Sequence, residues 1–173
     1  MKNDTHDDAS AEVRTLGELI DDVEVAMLVS RAANGSLVSR PLATLQTDGN
    51  GDLWFFTHAS SGKVEDIARD PHVNVSYARP GKHVYVSVVG TARVLRDRAK
   101  IDELWSPQSK IFFPDGKDDP DLALIKVEVE SAEYWRGAGG MVQQALKLMR
   151  AMTGDGPQDL GENHTVNVRG LTG

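Results

Sequence analysis

Residues 37–57 read LVSRPLATLQTDGNGDLWFFT, two strand-forming stretches on either side of a short turn. The stretches 37–47 and 53–57 are rich in β-branched, aliphatic and aromatic residues, and Gly49-Asn50-Gly51 between them is typical of a hairpin turn. An apolar run at 25–29 comes first, followed by Asn34-Gly35, which suits a tight turn because both residue types tolerate positive φ. The sequence therefore predicts an antiparallel meander over residues 25–57.

Further strands follow at hairpin spacing. Apolar residues recur at every second position over 73–77, 84–89 and 125–130, the period expected of strands with one buried face. Because a helix does not separate every pair of strands, a doubly wound parallel sheet is disfavoured. We predict a mainly β fold with flanking short helices, built on a six-stranded antiparallel barrel.

Four segments have helical features. They are a stretch from Ser10, as N-cap, to Val23, the segment 60–69 ended by Asp70-Pro71, residues 98–105, and a C-terminal helix over 141–152. Residues 1–9 are predicted to form a disordered acidic head, 10–153 a single domain, and 154–173 a polar C-terminal tail.

The composition excludes several classes of function. The 173 residues contain no cysteine, which rules out disulfides, thiolate metal sites and cysteine nucleophiles. A formal net charge of -7 argues against nucleic acid and anionic membrane as partners. No signal-peptide pattern or membrane-spanning stretch is present, so a cytoplasmic location is expected. The histidines lack metal-ligand spacing and no G-x-S-x-G elbow occurs, so neither a metal site nor hydrolase chemistry is predicted.

Residues 40–63 carry the candidate binding site. Arg40 lies in a strand, where a guanidinium can pair with phosphate in fork geometry. Thr57 ends the aromatic strand, and Ser61-Gly62-Lys63 stands at the start of a helix, where free N–H groups and the dipole favour an anion. Each part alone also fits a surface arginine or an ordinary helix cap. Together they predict a phosphate site, and on these residues alone the ligand is an anion of unspecified kind.

A family resemblance makes the prediction more specific. Residues 57–63, THASSGK, resemble the T-N-x-x-S-R-K segment of pyridoxamine 5'-phosphate oxidase, and residues 40–45, RPLATL, resemble that family's flavin-binding arginine strand. DP at 70–71, VVG at 88–90 and EYW at 133–135 resemble further motifs of the family. The chain is more similar still to the bacterial general stress proteins of that superfamily, through SRPLAT (39–44), DLWFFT (52–57), YVSVVG (85–90), ELW (103–105), FPDG (113–116) and DPDLAL (119–124).

The resemblance implies a split-barrel homodimer that binds FMN, or FAD as in some members, at the subunit interface. Arg40, Ser61 and Lys63 would hold the phosphate, and residues 42–45 with Phe56 and Thr57 would run along the isoalloxazine and ribityl chain. Trp135 matches a flavin-contacting tryptophan and fits a core aromatic equally well. Tyr85 and Trp105 could shape the substrate space, and each fits a packing role equally well. The candidate cofactor-binding residues are Arg40, Pro41, Leu42, Ala43, Thr44, Phe56, Thr57, Ser61, Gly62, Lys63, Tyr85, Trp105 and Trp135.

Departures from the family pattern leave the activity open. Gly62 stands where the oxidase has an arginine, and Tyr85 where it has a flavin-contacting glutamine. After Trp135 the chain continues RGAGGM and lacks the R-L-H-x-R segment that grips the oxidase's substrate, so vitamin B6 oxidation is not expected. The choice among FMN, FAD and a deazaflavin also stays open.

Three functions remain. One is a flavin-dependent oxidoreductase linked to the stress response, of unknown substrate, that could take electrons from NAD(P)H. Another is a non-catalytic flavin-binding or flavin-sequestering stress protein. The third is a chain that keeps the fold and has lost its ligand, an alternative opened by Gly62. No catalytic residue is assigned.

Overall fold

A closed antiparallel barrel forms the body of the protein in the computed structural model, which describes residues 4–21, 23–137 and 162–167. The barrel strands are β1 (Val25–Arg31), β2 (Leu37–Thr47), β3 (Leu53–His58), β4 (His72–Arg79), β5 (Val84–Leu95) and β6 (Leu122–Arg136). Neighbours are hydrogen-bonded in the order β3-β2-β1-β4-β5-β6, and β6 pairs with β3 to close the ring. The prediction of a six-stranded antiparallel barrel is confirmed.

A further strand, β7 (Glu162–Asn167), pairs antiparallel with β6 at residues 131–136. The polar composition of 154–173 predicts a tail, so the strand at 162–167 differs from that expectation. Its sequence, ENHTVN, has no run of apolar residues on one face, and such a strand gives no periodicity to detect. The C-terminal helix predicted over 141–152 lies outside the described residues.

The helices within the described residues are α1 (Asp4–Asp21), α2 (Gly62–Arg69) and α3 (Arg98–Leu104). The first of them begins at Asp4 rather than after Ser10, so residues 4–9, expected in a disordered head, lie in its first turns. None of these helices is both long and apolar enough to cross a membrane.

The main core fills the barrel interior. Its largest fully buried side chains include Phe55, Leu28 and Val75, and α1 adds Leu16 and Ile20 to the same cluster. Burial of these apolar faces contributes about 25 cal/mol for each Å² removed from water, and this burial holds α1 against the barrel.

A second apolar cluster lies outside the barrel wall. The β5–β6 connection, residues 96–121, contains α3 and two short 3-10 turns, Pro107–Ile111 and Gly116–Asp118. Ile101 and Phe113 from this connection pack with Trp54, Leu122 and Leu124 of β3 and β6. The connection therefore covers the outer face of β3 and stands as a wall beside it.

In each of the two predicted hairpin turns, one glycine is the residue with a positive φ. Gly35 and Gly51 have φ of 83° and 84°, in the left-handed region that favours glycine. Asn34 does not share the positive φ expected of an Asn-Gly pair; its side chain instead accepts a hydrogen bond from the Ser36 N–H, 3.0 Å away. A turn whose last residue alone is left-handed joins a longer hairpin loop than the two-residue kind.

Candidate functional site

A cluster of hydroxyl and cationic groups lies where β3 ends and α2 begins. Lys63 Nζ donates to Thr57 Oγ1 and Ser61 Oγ, each 3.3 Å away, and these two hydroxyl oxygens are also 3.3 Å apart. Among the residues that the structure describes, the Lys63 ammonium has hydroxyl partners and no carboxylate within ion-pair distance. We call Arg40, Thr57, Ser61 and Lys63 the anion cradle.

The ammonium group of Lys63 is partly buried. Burial lowers the pKa of the Lys63 ammonium from its ordinary value, and the positive charge of Arg40 lowers this pKa further. Burial and a like charge both disfavour a cation, so a bound anion would stabilise the protonated lysine. The arrangement is therefore suited to a phosphate or a carboxylate.

Arg40 is held in one orientation by a buried carboxylate. Its Nη1 lies 3.0 Å from Asp66 Oδ2 on α2 and donates to Ser30 Oγ, also 3.0 Å away. Arg69 Nη1 lies 3.5 Å from the other oxygen of Asp66. A Cβ added to Gly62 would stand 3.9 Å from Arg40 Nη2, so the guanidinium lies directly beside this glycine. The fixed guanidinium thus borders the start of α2.

The N-terminus of α2 completes the cradle. Ser61 is its N-cap residue and makes no side-chain cap hydrogen bond, because its hydroxyl faces Thr57 and Lys63 instead. The first N–H groups of a helix lack intrahelical acceptors, and the dipole favours negative charge there. Two cations, two hydroxyls and a helix start thus converge on one place.

An open cleft of about 280 Å³ leads away from the cradle. Four elements line it: β2, the end of β3, the first turn of α2, and the β5–β6 connection. Its lining residues are Pro41, Leu42, Ala43, Leu45, Phe56, Thr57, His58, Lys63, Ser106, Gln108, Ser109, Phe112 and Phe113. Apolar walls with a few convergent polar groups are typical of small-molecule sites.

Most of the predicted site residues come together here. Six of them line the cleft, and Arg40, Ser61 and Gly62 lie beside it: the six are Pro41, Leu42, Ala43, Phe56, Thr57 and Lys63. Trp105 packs against Phe56, with ring centroids 5.8 Å apart. What these residues bind stays a prediction.

Three predicted residues do not line this cleft. Thr44 Oγ1 lies 3.1 Å from the hydroxyl of Tyr77, a residue buried in the barrel core. Tyr85 and Trp135 are register partners on β5 and β6, and neither belongs to the cleft lining of the same chain. Trp135 lies on β6 well beyond residues 122–127, the part of β6 that pairs with β3, and β5 is three strands from β2 in the ring, so this pair is distant from the cleft.

Two parts of the observed site are absent from the predicted one. They are the side of the cleft formed by residues 106–113 and the Asp66 carboxylate that pairs with Arg40. Ser106, Gln108 and Phe112 lie in a stretch without periodicity, and its only signal is an apolar run, Ile111 to Phe113, in an otherwise irregular segment. Asp66 could have been noticed as a carboxylate next to Ile67 on a short amphipathic helix. Its pairing with Arg40 depends on tertiary packing, which spacing does not reveal.

The closed six-stranded antiparallel barrel has the split-barrel fold, and the anion cradle lies at the end of its strand β3. The chain belongs to the family described as pyridoxamine 5'-phosphate oxidase like, which matches residues 11–159.

Individual relatives agree with this assignment. The chain is 30% identical to protein bli-3 of Neurospora crassa over 141 residues, 76% of this chain and 68% of that protein. It is 34% identical to general stress protein 26 of Bacillus subtilis over 114 residues, 63% of this chain and 80% of that one. The crystal structure of the general stress FMN/FAD binding protein from Xanthomonas citri has a TM-score of 0.63 at 26% identity, covering 74% of this chain and 89% of that one. The resemblance to the general stress proteins is confirmed.

Proposed function

We propose that this protein binds a flavin phosphate, FMN first and FAD as the alternative, and acts as a flavin-dependent oxidoreductase of the general stress type. The observation that carries the proposal is Lys63, a partly dehydrated cation with hydroxyl partners at the edge of an apolar cleft. The FMN/FAD binding protein of Xanthomonas citri, which shares the fold, supports flavin as the ligand.

The residues present fit a flavin. Thr57, Ser61 and Lys63, with Arg40, would hold the phosphate, and the apolar segment of β2 with Phe56 would contact the ring system. A bound flavin supplies reversible electron transfer, while the protein supplies position, electrostatics and exclusion of competing reactions. Phe56, packed by Trp105 and Phe113, presents an aromatic surface to one side of the cleft.

Access to the cleft favours an enzyme over a storage protein. The cleft is open, so a second molecule can approach a bound flavin. The opposing observation is the sequence after Trp135, which lacks the substrate-gripping segment of the oxidase and favours a non-catalytic binder. We therefore keep flavin binding without turnover as the second candidate.

Visible spectroscopy tests flavin binding and separates the two candidates. The purified protein, titrated with FMN and FAD, should become yellow with a saturable spectral change. Anaerobic NADH or NADPH should then bleach the flavin if the protein is an oxidoreductase, whereas a yellow protein inert to both supports the binder. A colourless protein that takes up neither flavin would overturn both.

We also propose a homodimer whose interface adjoins the cleft. Val25 and Met27 on β1 are exposed, and their register partners on β2, Ala43 and Pro41, line the cleft. An apolar patch that is continuous with a cleft is typical of an interaction surface. A second copy on this patch would close one side of the cleft and bring a further surface, that of Tyr85 and Trp135, within reach of a neighbouring site.

A further inference from the structure

His58 is a cleft residue that the flavin proposal does not use. It is the last residue of β3, lines the cleft, and keeps 48% of its side chain exposed. Its Nδ1 lies 3.3 Å from Asp121 Oδ2, and its ring packs on Phe113 with centroids 4.5 Å apart. Two contacts from the β5–β6 connection therefore fix this imidazole on the rim.

The partner carboxylate is itself fixed. Ser60 donates to Asp121 through its backbone N–H at 2.8 Å and its hydroxyl at 2.7 Å, and the Ala59 N–H donates to the Asp121 carbonyl at 2.7 Å. These Ser60 bonds, with a smaller contribution from His58, hold the pKa of the Asp121 carboxyl below its usual range. Because Nδ1 faces the Asp121 carboxylate, Nε2 is the ring nitrogen left for a ligand.

Charged groups of both signs lie near His58. Asp121 faces the ring from the β5–β6 connection, and Lys63, from α2, lines the same cleft. The other polar groups on the facing wall, Ser106, Gln108 and Ser109, carry no charge. A bound anion would offset the repulsion from Lys63 and add its own attraction.

We propose that His58 is a proton-linked contact for an anionic group of the ligand in the cleft, which it binds through Nε2. The proposal rests on the proposed function for its ligand, a flavin phosphate. A protonated imidazole donates a charge-assisted hydrogen bond to phosphate, and a neutral one does not carry the charge. By linkage, anion binding and protonation of His58 strengthen each other equally.

A second histidine provides the matched control. His72 Nδ1 lies 2.8 Å from Asp70 Oδ1, the same kind of pair, but His72 does not line the cleft. Replacement of His72 by glutamine removes an imidazole beside an aspartate and leaves the cleft intact. Any effect common to both replacements is therefore unrelated to the cleft.

The experiment measures Kd for FMN and riboflavin at about pH 5.5 and about pH 8, values on either side of an ordinary histidine pKa. Wild type, His58→Gln, Asp121→Asn and His72→Gln are compared. The phosphate of FMN has its own pKa of about 6, and this contribution cancels between variants. For each protein, the Kd for FMN at about pH 8 is divided by the Kd at about pH 5.5. We expect this ratio to be at least about threefold larger in wild type and His72→Gln than in His58→Gln. Riboflavin should show no such difference.

Histidine NMR provides a second measurement, whose result would not change on addition of FMN if His58 had only a structural role. FMN should raise the pKa of His58 in wild type and leave that of His72 unchanged, and Asp121→Asn should reduce the effect. Equal pH dependence of FMN binding in wild type and His58→Gln would overturn this inference and leave flavin binding standing. A pH effect of equal size with riboflavin would also overturn it, because riboflavin lacks the phosphate. Absence of any flavin binding by wild type would overturn the proposed function together with it.

Discussion

Lys63 is the residue whose removal tests the cradle most directly. Lys63→Ala should weaken FMN binding at least tenfold, about 1.4 kcal/mol, because the phosphate would lose a cation that, among the described residues, has no carboxylate within ion-pair distance. Riboflavin binding should change by less than about threefold, since it has no phosphate to lose. Fluorescence titration measures both. The control is Lys117→Ala, which removes a surface lysine paired with Asp102 at 2.8 Å. Equal losses for FMN and riboflavin would place the phosphate elsewhere.

Gly62 offers a gain-of-affinity test at the same place. A Cβ there would make ordinary contact with Arg40 Nη2 at 3.9 Å, so Gly62→Ala should fold normally and gain about 0.4–1 kcal/mol from reduced chain entropy. Gly62→Arg restores the cation that the oxidase has at this point and should tighten FMN binding several-fold more than Gly62→Ala does. Denaturant unfolding and FMN titration check the two claims. Weaker FMN binding by Gly62→Arg than by Gly62→Ala would show that the two guanidiniums displace each other.

The cationic residues of the candidate site are easier to predict from the sequence than the residues that pair with them. Arg40, Ser61 and Lys63 stand out as residue types suited to phosphate, and the structure places them at one junction. The Asp66 carboxylate that orients Arg40 could not be predicted, because the pair joins residues from separate elements. His58 was also missed, since its partner Asp121 lies far along the chain.

At Gly90, the backbone of β5 lies directly against the backbone of β6. A register shift falls between Val89 and Gly90, and a Cβ on Gly90 would collide with the backbone oxygen of Glu128. Gly90→Ala should therefore lower the free energy of unfolding by about 1–3 kcal/mol, because backbone must move to accept the methyl group.

Chemical denaturation of Gly90→Ala measures this cost. Gly81→Ala serves as its control, since a Cβ at Gly81 meets no atom within 4 Å. Equal stability of the two variants would mean that the strands can separate freely at the bulge.

Tyr77 gives the barrel a pH-dependent stability. The residue lies on β4 and its hydroxyl is 3.1 Å from Thr44 Oγ1 on β2. Burial raises the pKa of the Tyr77 phenol well above its ordinary value. The unfolded chain therefore releases this proton near pH 10, whereas the folded protein retains it, and deprotonation favours unfolding.

Stability should consequently fall as pH rises above about 10. Wild type should lose up to about 1.4 kcal/mol per pH unit more than Tyr77→Phe, which has no phenol to ionise. Denaturant unfolding across this alkaline range measures the difference, and other titrating groups contribute equally to both proteins. Parallel stability curves would contradict the expectation.

The elements themselves were predictable where the side chains alternate or repeat at helical spacing. The second strand, residues 37–47, has the predicted bounds, while β5 and β6 extend well past their alternating valines to Leu95 and Arg136. Each of these strands is hydrogen-bonded to a strand on both sides, and this pairing extends it beyond the alternating residues. The local sequence pattern does not predict that extension. The 106–113 wall follows from packing of Phe113 into the outer cluster, a contact between distant segments.

For the whole molecule, the proposed homodimer makes a separate prediction. Val25, Met27, Val89 and Tyr85 are 53%, 40%, 45% and 42% exposed, unusual for apolar side chains of a barrel wall. Met27→Lys should shift the protein to a monomer in sedimentation experiments, because a charge buried in an apolar interface is costly. It should also weaken FMN binding, since Met27 adjoins the cleft through Pro41.

Ala99→Lys, at an exposed position of α3, controls for the added charge. A Met27→Lys protein that keeps the mass of wild type would place any self-association elsewhere on the surface. A monomeric wild type that still binds FMN at full strength would show that one chain forms a complete site.

The β5–β6 connection has a consequence for how this kind of protein can diversify. In the anion cradle, Arg40 on β2 is fixed by Ser30 on β1 and by Asp66 on α2. The opposite side of the cleft belongs to the β5–β6 connection, which packs on the outside of the barrel. Connections tolerate insertion and exchange far better than paired strands do. New residues at 106–113 could therefore change the molecule admitted beside the proposed flavin, while the residues proposed to hold its phosphate stay the same. One scaffold could in this way give rise to paralogues with a common coenzyme and different substrates.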